Sequence, residues 1–226
     1  AHERRESIRT FVRTSPDYYI RMLDKIGGSS AFTPTLNIFS GIFGPIWFGA
    51  RGLWNWALPF LIIETLALVQ IARGLFGDLG ADAMARIASI EGTLDLRRQQ
   101  LAAAIESNSD RADAFQRAVD GLEANIGSIR AEADALAATG PKIVLIGFTI
   151  LVLAKIVQAI IANSALEARF TSWMSDRTVR SGMPISHIVF SAVFMALIAF
   201  AAMMHYALPG QLTLLSDFPT DPGIRL

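Results

Sequence analysis

Two ionisable residues sit inside long apolar runs: Glu64 within Trp54 to Phe76, and Lys155 within Lys142 to Ala162. A charge facing lipid costs several kcal/mol, so each side chain must find a partner. Glu64 lies about ten residues from the end of its run nearest the basic N-terminal segment. Lys155 lies about seven or eight residues from the corresponding end of its own run, and at about 1.5 Å of rise per residue the two depths differ by only about 4 Å. The spacing therefore predicts an ion pair across antiparallel neighbouring helices. Two chemistries fit such a pair: a proton or substrate relay, or a structural contact that locks helices or meets a partner subunit.

Other chemistry finds little purchase. The chain has no cysteine, which excludes disulfides, thiolate metal sites and a cysteine nucleophile. His2, His187 and His205 stand at no metal-ligand spacing, so no metal is expected. There is no G-x-S-x-G elbow and no G-x-x-x-x-G-K-[ST] phosphate loop. No enzyme activity or cofactor is expected of this chain. The formal net charge is zero, which gives no footprint for nucleic acid. Gln70 and Gln158 read as interhelical hydrogen-bond partners. Arg73, near a helix end, is expected to snorkel to the interface, and Trp47, Trp54 and Trp56 to act as interfacial anchors.

The elements that must position these residues follow from where charge is missing. The chain is 52% hydrophobic and 18% charged, with mean hydropathy +0.41, where a soluble domain carries about 25% charge. The expected fold is an all-α membrane protein of about three transmembrane helices, Trp54 to Phe76, Lys142 to Ala162 and Ile185 to Leu208. Each is long enough for a hydrocarbon core of about 30 Å. The third ends at Pro209-Gly210, and the second opens after Gly140-Pro141. Residues 35–56 are apolar but punctuated by Gly41, Gly44, Pro45, Gly49, Arg51 and Gly52. They read as a re-entrant or interfacial element, with a true span as the alternative. The glycines there suit close helix packing better than phosphate binding.

Five regions result: a basic N-terminal segment (1–34), a re-entrant element with the first span (35–76), a helical hairpin (77–140), the second and third spans (141–208) and a linker tail (209–226). The first region carries Arg4, Arg5, Arg9, Arg13, Arg21 and Lys25 and is no signal peptide. Its apolar residues recur at helical spacing, which fits an interfacial helix or a short helix packed on a partner. In the third region Ile87, Ile90, Leu94, Leu101 and Ile105 form an imperfect stripe. Phe115, Val119, Leu122, Ile126, Ile129, Ala133 and Leu136 form a regular one, alternating by four and three as in a coiled coil. The two join through Ser107-Asn108-Ser109-Asp110, with Ser109 or Asp110 as the expected N-cap. The antiparallel hairpin would extend roughly 40 Å, with Gly74, Gly77 and Gly80 uncoupling it from the first span.

Cations set the orientation. With three spans, the N-terminal segment and the loop bearing Arg169, Arg177 and Arg180 both fall on the cytoplasmic side, and the hairpin and C-terminus face outwards. A fourth span would divide the basic segments between the two sides.

Asn37 to Trp54, centred on FGPIWFGARGLW, resembles an aromatic-glycine motif of small bacterial membrane domains of unknown function. Leu215 to Leu226 (LSDFPTDPGIRL) resembles the acidic linker before the permease core of binding-protein-dependent importers for quaternary amines. Taken whole, the chain resembles the N-terminal membrane extension of alphaproteobacterial ABC permeases of the glycine betaine, proline and trimethylamine N-oxide type. That resemblance implies a transmembrane component of an ABC importer in the bacterial inner (plasma) membrane. Its partners would be the bilayer, a permease core, an ATPase subunit and a substrate-binding protein. One departure stands out: where that family's core carries an E-A-A-x-x-x-G docking loop, Glu167-Ala168 is followed by Arg169, and Trp173 replaces the glycine. The transport core is thus expected elsewhere, with this chain as an extension or fragment. The alternative is a free-standing membrane scaffold or assembly subunit whose hairpin docks a partner complex.

Overall fold

A computed structural model describes residues 2–29 and 31–206, and every described regular element is an α-helix. The helices are α1 (His2–Val12), α2 (Pro16–Gly27), α3 (Ile38–Phe43), α4 (Pro45–Ala50), α5 (Trp54–Phe76), α6 (Ala81–Glu106), α7 (Ala112–Ala137), α8 (Gly140–Ser175) and α9 (Ile185–Tyr206). Three of them, α5, α8 and α9, are long and apolar enough to cross a membrane. The linker tail at 209–226, and the expected helix end at Pro209-Gly210, lie outside the described residues. The chain divides into two compact units, Ala1–Ile71 with Leu145–Leu226, and Ala72–Val144.

In the first unit the basic lead-in folds onto its own chain. Ile8, Phe11, Val12, Tyr19, Ile20 and Leu23 are buried in one core with Trp47, Phe48, Leu166 and Phe170. Phe11 meets Phe170 and Trp173 with ring centroids 5.4 and 5.5 Å apart. Burying each side chain of this size contributes about 1.5–3 kcal/mol. Polar groups hold the edges: Arg4 donates to Glu167 Oε1 at 2.7 Å, and Arg51 donates to Val12 O and Thr14 Oγ1 at 3.1 and 3.2 Å. Those two bonds hold the α1–α2 turn, where Arg13 and Ser15 take positive φ.

This packing explains a difference from the sequence reading. The loop expected after residue 162 is helix as far as Ser175. Leu166, Phe170 and Trp173 recur at spacings of four and three and face the N-terminal helices. Glu167 therefore sits in a helix with its side chain paired to Arg4, not in a loop.

The α3–α4 pair is locally dictated. The Asn37 side chain caps α3 by accepting from Ser40 N at 3.1 Å. Gly44, at φ 51° and ψ −125°, ends it, and Pro45 starts α4. Gly41 lies against Ala159 and the Lys155 carbonyl on α8, while Gly49 lies against Ser191 and Met195 on α9. Further along, Gly147 on α8 meets the Ala67 carbonyl and Ile71 on α5, at distances no β-carbon would allow.

The second unit contains α6 and α7 packed antiparallel. Ala83, Ile87, Ile129 and Ala133 are its buried centre, with Ile90 and Ile126 beside them. Arg86 pairs with Glu132 at 3.1 Å and Arg98 with Glu123 at 2.8 Å across the pair. Both bridges are about half exposed, so each contributes only about 0.2–1 kcal/mol. Asn108 turns the corner at φ 51°. Arg111 is the N-cap of α7, where Ser109 or Asp110 was expected; the Ser109 hydroxyl instead accepts the Arg111 N–H. Gly74 does not loosen this unit. It lies within α5, and a Cβ there would meet Gly140 O at 2.7 Å. That close approach draws the last turn of α5 and the first of α8 into the unit, beyond the 77–140 boundary.

Candidate functional site

The structure brings Glu64 and Lys155 together. Lys155 Nζ lies 2.7 Å from Glu64 Oε1. Gln158, one turn after Lys155 on α8, donates through Nε2 to the same oxygen at 2.6 Å. Hydrogen bonds to an ionised carboxylate are short and about twice as strong as neutral ones. Gln158 is fully buried, and the Glu64 side chain is 13% exposed against 29% for Lys155.

The third wall comes from the α3–α4 break. Because α3 stops at Phe43, its last carbonyls have no helical partner, and Ile42 O accepts from Lys155 Nζ at 3.4 Å. Gly44 covers the cluster. A Cβ at this position would stand 2.5 Å from Glu64 Oε1, 2.6 Å from Lys155 Nζ and 2.8 Å from Gln158 Oε1. Its positive φ also disfavours any other residue. Glycine is required here twice, for space and for backbone conformation.

A second polar group fastens the same break to α8. Asn37 N donates to Ala159 O at 2.8 Å, and Asn37 Nδ2 donates to Asn163 Oδ1 at 2.9 Å. Asn163 Nδ2 donates in turn to Tyr18 Oη and Thr35 Oγ1. The Tyr18 hydroxyl donates to Leu36 O at 2.7 Å, and Ser40 Oγ reaches Gln158 O at 3.1 Å. Asn37, Ser40 and Asn163 are at most 1% exposed, so these bonds satisfy groups that would otherwise cost about 1–3 kcal/mol each. Burial pushes the Tyr18 phenol up from its ordinary value, a shift partly opposed by the hydrogen bond from Asn163.

The aromatic residues separate. Trp56 is exposed beside Phe60, and Trp54 meets Phe190 and Phe194 edge-on at 6.1 Å. Trp47 departs from the expected surface anchor: it is 4% exposed, packs edge-on against Phe48, and takes the Arg51 guanidinium over its ring at 5.8 Å. It turns inward because α4 folds back beneath the N-terminal helices, which cover that ring. Arg73 is exposed in the last turn of α5.

Sequence reasoning did not find the parts played by Gly44, Asn37, Ser40 and Asn163. The available signal was three small polar residues in apolar surroundings, each of which must find a partner once buried. No family model, curated protein or solved structure matches the chain.

Proposed function

We propose that this chain is a membrane-embedded accessory module of a transport assembly, attached to a permease core that works with an ATPase and a substrate-binding protein. The observation that carries this reading is the closed state of the intramembrane charges. Glu64 is neutralised by Lys155, bonded by Gln158 and covered by Gly44. A carboxylate so committed fastens helices, and it fits a structural role better than a relay that must release its proton or load. The resemblance of Asn37 to Trp54, and of the whole chain, to extensions of quaternary-amine permeases supports the transporter assignment. The substrates would be small zwitterionic osmolytes such as glycine betaine, proline or trimethylamine N-oxide.

Residues 35–56 act in this reading as a re-entrant element. Asn37 contacts α8 at Ala159 and Asn163, Gly44 reaches Lys155, and Gly52 lies back beside Arg169. The segment thus descends to the charged pair and returns, over a rise of about 21 Å between residues 155 and 169. Basic residues flanking the spans support an inner-membrane orientation with the N-terminus cytoplasmic and the hairpin and C-terminus periplasmic.

A scaffold or assembly subunit is the second reading, and the hairpin favours it. Its apolar seam is closed within the α6–α7 pair, rimmed by Arg–Glu bridges as in an antiparallel coiled coil, which suits a docking arm. Co-purification from membranes tests both. Recovery of an ATPase and a betaine-type binding protein supports the importer, and recovery of an unrelated complex refutes it in favour of the scaffold.

A further inference from the structure

Arg13, Arg51, Arg169, Arg177, Arg180 and His187 line one cavity of about 310 Å³ in the first unit. Five guanidiniums in so small a space repel one another, and among the described residues none of them forms a salt bridge. The carboxylate nearest in sequence, Asp176, is occupied by the Thr178 backbone N–H and hydroxyl at 2.9 and 2.7 Å. Arg51 is 4% exposed, and its Nε, like that of Arg169, has no hydrogen-bond partner. The arginines are held in place. Arg177 stacks on Trp173 at 3.7 Å, Arg180 meets His187 Nε2 at 3.0 Å, and Gly52 at φ 72° lets the backbone lie against the Arg169 guanidinium. Guanidiniums gathered without a carboxylate partner are what a phosphate oxyanion requires.

A second cavity of about 360 Å³ adjoins the first and shares Ala50 and Arg51 with it. Its walls are apolar, formed by Tyr19, Phe39, Phe43, Ile46, Trp47 and Ile188. Phe39 and Phe43 are more than half exposed at its rim. A cationic chamber and an apolar chamber on either side of one arginine match an amphiphile: phosphate on one side, hydrocarbon on the other. Basic pockets beside membrane helices take phospholipid headgroups in this way.

We propose that these adjoining cavities bind one anionic phospholipid, its phosphate held by Arg13, Arg51, Arg169, Arg177 and Arg180 and an acyl chain laid along Phe39, Phe43 and Trp47. The phosphate chemistry alone would equally suit a soluble phosphate ester; the apolar chamber selects the lipid.

Native mass spectrometry of the purified full chain in detergent tests this. It compares dioleoyl phosphatidylglycerol with dioleoyl phosphatidylcholine, which has the same chains on a zwitterionic headgroup, and with inorganic phosphate as competitor. One phosphatidylglycerol should be retained at least about tenfold more tightly than phosphatidylcholine, a difference of about 1.4 kcal/mol. Millimolar phosphate should not displace it. Arg177→Gln and Arg180→Gln, both at exposed positions, should each weaken retention several-fold, while Arg98→Gln on the hairpin should not. Equal retention of the two lipids, displacement by phosphate, or unchanged binding in both cavity variants would each overturn the proposal. Should either variant misfold, the headgroup comparison on the unaltered chain still decides.

Discussion

Replacing Lys155 by Met removes the ammonium and leaves the Glu64 carboxylate in an apolar seam with only Gln158 as donor. At the observed 2.7 Å, the Coulomb attraction is about 6 kcal/mol for an effective dielectric constant of about 20. Desolvation of the two ions offsets much of that, so the pair itself contributes little net stability. Breaking it is different, because the remaining charge keeps its desolvation cost, typically about 3–5 kcal/mol. The Lys155 side chain is 29% exposed, which places the expected loss near the lower end, about 3 kcal/mol. Glu64→Gln should cost somewhat less, since Lys155 keeps the Ile42 carbonyl as an acceptor. The double variant Glu64→Gln/Lys155→Met carries no uncompensated charge and should lose about 2–3 kcal/mol less than the sum of the singles. Reversible unfolding by a denaturing detergent, with the four proteins of the cycle in the same micelles, gives these differences directly. Additivity within about 0.5 kcal/mol would refute the coupling. So would a Lys155→Met variant as stable as the parent.

Gly44→Ala should destabilise the first unit by more than about 2 kcal/mol, combining backbone strain at positive φ with the clash at Glu64 and Lys155; the same unfolding assay checks it. Tyr18 should make stability fall at alkaline pH. Its folded pKa is raised above the ordinary 10.0, so above that pH the unfolded chain ionises first, and stability is lost as pH rises towards the folded value. Thermal unfolding of the parent between pH 8 and about pH 11 should show that loss, and Tyr18→Phe should flatten it despite a lower starting stability. In the hairpin, Ile129→Ala should cost about 2–4 kcal/mol of local stability, read by hydrogen exchange on α6 and α7. Arg98→Gln, at a half-exposed bridge, should change it by no more than about 1 kcal/mol.

Helices and spans were legible because they depend on local information. An apolar run of sufficient length, a four-and-three stripe, Pro at a helix start and the Gly-Pro that opens α8 are all readable without knowing what packs on what. The Glu64–Lys155 pairing was legible for a related reason. Position along an apolar helix is a single coordinate, and two opposite charges at matching positions on neighbouring antiparallel helices have few other places to go. The helix beyond residue 162 was harder. Leu166, Phe170 and Trp173 carry a helical period, but Glu167 among them resembles a loop charge until Arg4 supplies its partner.

What the amino-acid order determined by itself, then, is the helical character of the chain, its three long apolar runs and the pairing of Glu64 with Lys155. Only the tertiary structure decided that Gly44 closes over that pair and that Asn37 reaches Asn163, 126 residues away. It also decided that Trp47 turns inward and that Arg13, Arg51, Arg169, Arg177 and Arg180 surround one cavity. The physical reason is the same in each case. These contacts join residues whose separation along the chain carries no period, and they exist only because α3 and α4 fold back between α5, α8 and α9 beneath the N-terminal helices.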